Sequence, residues 1–191
     1  MSGRFAAPLF AVLLAATAAA CSKPAPPPVP PEATIKDIMD SKVDPAGDFL
    51  FESVQQISDA KGVREKAPRT DAEWAEVRKN LQTLHDAPDY LVTPGRKAAR
   101  PQDRSRNPAV ENEPEQVQKL LDAQHADFVV RAQRLREAAD LGLKAVEVKD
   151  KDALMRAALA TDKACEGCHL HYWYPNDKRA HQAAKEEGVP E

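Results

Sequence analysis

The stretch Asp150-Lys151-Asp152-Ala153-Leu154-Met155-Arg156-Ala157-Ala158-Leu159-Ala160-Thr161-Asp162-Lys163-Ala164-Cys165-Glu166-Gly167-Cys168-His169 decides the fold class of this 191-residue chain. Leu154, Ala158, Thr161, Cys165 and Cys168 recur at steps of 4, 3, 4 and 3. That is the narrow inward seam of a helix packed lengthwise on its neighbours. Upstream, the segment from about Glu115 to Leu143 repeats the pattern with Val117, Leu121, Gln124, Phe128, Leu135 and Ala139, and Gly142 lies near its end. Another helix opens at Thr70 or Asp71, with Glu73 in its first turn and Trp74, Val77, Leu81 and Leu84 inward; Pro88 stops it or marks a boundary. The first helix is expected from about Ala33 to Ala60, with Ile35, Ile38, Met39 and Val43 on one stripe and Leu50, Val54 and Ile57 beyond. Pro45 inside it predicts a kink or break near Asp44. No segment alternates convincingly as a strand. The expected fold is all-α, an antiparallel four-helix bundle over about residues 33–175.

Composition agrees. Aromatics are only 5% and glycines only 7, fewer than β folds favour. Lys and Arg number 27 against 30 Asp and Glu, a net charge of −3, which supplies no electrostatic footprint for nucleic acid. One segment breaks the pattern. Residues 92–114 hold Pro94, Pro101, Pro108 and Pro114 with Arg96, Lys97, Arg100, Arg104 and Arg106. This long Pro/Arg-rich loop is unusual inside a domain and reads as a solvated, mobile excursion, with partner docking as the competing reading. Residues 176–191 read as a charged C-terminal tail.

The N-terminus carries an export signature. Arg4 precedes an apolar run from Phe5 to Ala20, a signal peptide over residues 1–20. It is followed by Cys21, and Ala18-Ala19-Ala20-Cys21 resembles a bacterial lipobox, with Ala18 where Leu is usual. Cys21 is the expected lipidation site; plain cleavage leaving a free thiol is the alternative. Pro24, Pro26, Pro27, Pro28, Pro30 and Pro31 then make residues 21–32 an extended tether. Removing residues 1–20 takes away one Arg and no acid, so the net charge becomes −4. These features place the chain in the periplasm, anchored to a membrane by lipid. Ser22 stands where inner-membrane retention favours Asp, so the outer membrane is preferred.

Cys165-Glu166-Gly167-Cys168-His169 carries the chemistry. Cys-x-x-Cys-His is the attachment signature of c-type haem. Two thiols three residues apart share one helical face and can each bond a vinyl group, and the adjoining imidazole then lies under the iron. Zinc wants four ligands and often a second Cys pair. A redox dithiol of the thioredoxin type wants a βαβ setting, and a disulfide closing so short a loop stabilises little. The cofactor expected is one covalent haem c with its iron. The cysteine count closes, with one for lipid and two for haem.

This motif lies near the end of the last helix of an expected bundle, and only 22 residues follow His169, none of them Met. The chain thus resembles the class II c-type cytochromes, the cytochrome c′ family, as an exported lipoprotein-like member. The resemblance covers about Ala33 to Pro175 and rests on Cys165–His169 and Met39. His171-Tyr172-Trp173-Tyr174-Pro175 and the Pro94-Gly95-Arg96 turn also resemble those of exported relatives. The 92–114 insertion departs from the family, so no partner surface carries over.

The resemblance implies that His169 is the proximal iron ligand and that the distal residue lies on the first helix. Low-spin members use a Met there; others leave the position open behind an apolar side chain. Met155 lies 14 residues before His169 on the same helix, about 21 Å at 1.5 Å per residue. Met39 is therefore the sixth-ligand candidate, with core packing as its alternative role. His85 and His125 are weaker candidates, and His171 and His181 are not expected to ligate. Tyr172, Trp173 and Tyr174 are expected to pack on the exposed haem edge or to cap the bundle, with polar tips outward. The implied function is a periplasmic, membrane-tethered carrier of single electrons, not an enzyme, serving periplasmic or membrane redox proteins, with a homodimer left open. The alternative is a five-coordinate haem protein that binds nitric oxide or carbon monoxide. Peroxidatic chemistry would want a distal acid–base pair, and Lys36, Asp37 and Asp40 read as solvent-facing.

Overall fold

The computed structural model describes residues 29–190. The signal segment 1–20, Cys21 and the tether up to residue 28 lie outside the described residues. Thr34 opens the first helix with a reciprocal cap: its hydroxyl accepts from the Asp37 amide at 3.1 Å, and the Asp37 carboxylate accepts from the Thr34 amide at 3.0 Å. Helix α1 (Ile35–Ile38) runs into a π-helical turn, Met39–Val43, and on into α2 (Asp44–Ser53). Pro45 has no N–H, and its ring would press on the carbonyl four residues back. The wider turn, in which the Asp44 amide reaches the Met39 carbonyl, absorbs that conflict. The expected kink is a π-turn inside a continuing helix.

That helix ends at Ser53, not near Ala60. Gln55–Asp59 (β1) and Gly62–Lys66 (β2) instead form an antiparallel hairpin, with Gln55 opposite Lys66 and Asp59 opposite Gly62. The expectation of no strand is corrected here. The hairpin buries neither face, and Val63 is 66% exposed, so no alternation marks it in the sequence. Gly62, at φ 110°, makes its turn.

Helix α3 (Asp71–Leu91) begins as expected, with Thr70 and Glu73 capping each other. It does not stop at Pro88. One lost hydrogen bond in the last turns is outweighed by burial of Ala87, Pro88 and Leu91. The segment after it is exposed over most of residues 93–109, as a solvated stretch would be, but it is strapped down at its ends. Its Lys97 and Ala98 carbonyls accept from the Ile35 and Lys36 amides at 2.8 and 2.9 Å, so it satisfies the first turn of α1. Arg96 donates to the Tyr90 and Ala33 carbonyls, and Arg100 pairs with Asp37 at 2.8 Å. The basic residues that suggested solvation are partly the fasteners.

The expected third helix is two: α4 (Pro114–Ala123) and α5 (His125–Val148), divided at Gln124. Helix α6 (Lys151–Tyr172) is capped by Asp150, which accepts from the Asp152 and Ala153 amides. The charged tail contains α7 (Lys178–Glu187), which packs Ala184 inward beside α6. Helix α5 lies between α3 and α6, and α2 packs on α3 and touches α6. Ile38, Leu50, Val77, Leu81, Leu84, Ala139 and Leu154 are almost fully buried at the shared core. Gly142 is not a terminator. A Cβ there would stand 2.5 Å from a Leu81 methyl, so its missing side chain sets the spacing of α3 and α5. Among the described residues no helix is long and apolar enough to cross a membrane.

Candidate functional site

The last turns of α6 bring Cys165, Cys168 and His169 onto one face, as i, i+3 and i+4 spacing requires. That face closes a cleft whose opposite wall is the π-turn, with Met39, Val43 and the adjoining Asp44. Leu91, Phe128 and Leu135 make the remainder apolar, Ala132 and Ala164 keep it narrow, and Arg131 is its cation. The free volume is about 30 Å³, room for about one water molecule. All four expected haem residues of the described chain, Met39, Cys165, Cys168 and His169, thus line one cleft.

Electrostatics inside the cleft follow from burial. Burial pushes both thiols up to about 12, so they stay protonated at neutral pH and are poor thiolates. Burial lowers His169, against the opposing pull of Asp44 and Glu166; its imidazole is neutral and keeps a lone pair to give. Burial also raises Asp44, partly offset by His169. The His169 ring meets Trp173 edge-on, with centroids 5.3 Å apart, and Tyr174 at 5.9 Å.

Behind the motif lies a polar network that sequence reading missed. Arg131 on α5 donates from Nη1 to the Gly167 carbonyl at 2.8 Å and from Nε to Asp127 at 2.6 Å. Asp127 also accepts from the Tyr172 hydroxyl at 3.1 Å, and the Arg131 hydrogen bond is the main cause of its lowered pKa. A signal for this existed. Arg131 falls three residues after Phe128 and four before Leu135, on the buried stripe, and Asp127 precedes it by one helical turn. Tyr172 does not turn its tip outward. It is buried, edge-on to Phe128 at 5.6 Å. Trp173 is exposed, and the Tyr174 hydroxyl donates to Glu166 at 2.7 Å.

Over the outer side of the motif runs the C-terminal segment. A Cβ on Gly167 would stand 3.0 Å from the Pro190 carbonyl and 3.3 Å from Val189. The other histidines are engaged elsewhere. His85 on α3 lies between Asp86 at 2.8 Å and Asp140 of α5 at 3.5 Å. His125 is exposed at the start of α5. His171 meets Gln124 at 2.6 Å, and His181 the Pro175 carbonyl at 3.0 Å. Met155 packs against the core. Lys36 and Asp40 pair at the surface, while Asp37 is occupied by the α1 cap. Among the described residues no group of three or more His, Cys, Asp or Glu is arranged to hold a bare metal ion.

In comparisons with known proteins, the chain matches no family model, no curated protein and no solved structure.

Proposed function

We propose that this chain is a c-type cytochrome of the class II type: an exported, lipid-anchored carrier of single electrons whose haem is held in the cleft between the π-turn and α6. The observation that supports this reading is the convergence of Met39 with Cys165, Cys168 and His169, from opposite ends of the sequence, on one apolar cleft. In this reading α1–α2, α3, α5 and α6 are the four members of an antiparallel bundle. Cys165 and Cys168 hold the group by two thioether bonds, and protonated, apolar-facing thiols suit that bonding better than thiolate coordination. His169 would give the group a nitrogen ligand and Met39 a sulfur ligand. The donor set and the dry lining fit haem. The free volume of about 30 Å³ is too small for the group, so taking it up would require the walls of the cleft to part. Haem, when bound, supplies a one-electron iron couple.

The chain's own part would be to offer two ligands and keep water from the site. Leu91, Phe128 and Leu135 exclude water, and neutral His169 is ready to ligate without first losing a proton. Lipidation at Cys21 and the Pro-rich tether would keep the domain in the periplasm beside membrane-bound redox partners and raise their effective concentration.

The test is a visible spectrum of full-length protein from a haem-maturing host. The expected product keeps its pigment through acidic acetone and shows a low-spin spectrum with a sharp reduced α-band. Met39→Ala should turn that spectrum high-spin and open the iron to carbon monoxide. A wild-type protein that is already high-spin and binds carbon monoxide rapidly hands the site to gas binding. Colourless protein, or pigment lost to acidic acetone, ends the proposal.

A further inference from the structure

Arg131 is expensive where it stands. Its side chain is 7% exposed on the apolar stripe of α5, where Leu or Met would fill the volume without burying a charge, and a buried guanidinium costs several kcal/mol unless fully partnered. Its partners explain its presence. One nitrogen holds the Gly167 carbonyl, the peptide between the two thiols; another holds Asp127, whose same carboxylate oxygen takes the Tyr172 hydroxyl. A single Arg–Asp pair therefore grips α6 two residues before His169 and three residues after it. The fork geometry of arginine makes both contacts at once, which a lysine ammonium cannot reproduce. The pair is also polarised across the wall: Arg131 lines the cleft, while the Asp127 side chain is 41% exposed, so water screens the anion more than the cation.

We infer that Arg131 is a positioning residue that fixes the His169 turn and, by placing the charge of a polarised ion pair against the cleft, raises the reduction potential of the group bound there. This rests on the haem reading above. Adding an electron beside a fixed, poorly screened cation is favoured, so losing the cation lowers the potential and losing its acid partner raises it.

The test uses holo-protein with Arg131→Gln, Arg131→Lys and Asp127→Asn. At a fixed ambient potential, Arg131→Gln is expected to lower the reduced-to-oxidised ratio about tenfold, a shift of about 59 mV for one electron. Asp127→Asn should shift the ratio the opposite way. Arg131→Lys should keep most of the potential yet shift the low-spin EPR g-values, because charge survives and the fork does not. General loosening of the site would move Gln and Asn variants in the same direction. Shifts of the same sign, or none, overturn this inference alone; Arg131→Lys and Asp127→Asn decide it if the Gln variant does not fold. A wild-type protein without covalent haem overturns the parent reading, and is seen before any variant is made.

Discussion

Gly142 shows how much a single missing side chain can set. The nearest atoms to its absent Cβ belong to Leu81, which is fully buried and has nowhere to retreat. Gly142→Ala would gain helix propensity of roughly 0.5–1 kcal/mol, but overpacking costs about 1–3 kcal/mol. A net loss of stability is expected in urea denaturation, and the same substitution should cost less when made in a Leu81→Ala background; a more stable single variant would show that α3 and α5 have slack. The residues of the cleft divide by how they announce themselves. Cys165, Cys168 and His169 are legible because their spacing has one dominant chemical use. Met39 is legible only through a resemblance, since its stripe alone describes a core side chain. Arg131 and Asp127 lie inside a helical stripe dominated by apolar neighbours, and a charged residue there reads as a register error until its partners on α6 are seen. Asp44 was hidden by the attention Pro45 draws.

Among the elements, the strap over residues 92–113 departs most from its appearance. Proline and arginine suggested hydration, yet Arg96 ties its start to Ala33 and Tyr90, and its end is held where Asn112 donates to the Trp173 and Tyr172 carbonyls at 2.6 and 2.9 Å. Arg96→Ala should leave the helices intact but free the first turn of α1. Hydrogen exchange at the Ile35 and Lys36 amides is the measurement, and unchanged protection there would show that Arg96 is dispensable. Loss of charged-to-neutral hydrogen bonds of this kind costs about 1.5–3 kcal/mol, reduced here by solvent access to the freed arginine. The long helices were readable because one face of each is buried for many turns. The hairpin was not, because neither of its faces is buried and only Gly62 marks it. Helix boundaries at Ser53 and Gln124 were missed for a related reason: the apolar spacing continues across them, while the backbone does not.

For the molecule as a whole, acid sensitivity follows from groups whose protonation the fold opposes. His169 and His171 are held below the ordinary histidine value, mainly by burial. The unfolded chain therefore binds more protons than the folded one as pH falls below about 6.5. Asp127, held low chiefly by the Arg131 hydrogen bond, and Asp37, chiefly by the Thr34 amide, add a second loss below about pH 4. Chemical denaturation of thioether-free protein should show stability level near pH 7–8, falling in two stages on acidification. A haem-free Cys165→Ala/Cys168→Ala protein that matches the loaded one at every pH would remove the cofactor from the stability of the fold. The last helix has a further consequence. Because a Cβ on Gly167 would stand 3.0 Å from the Pro190 carbonyl and 3.3 Å from Val189, any side chain at that position would press on the segment following α7 and lift it from α6.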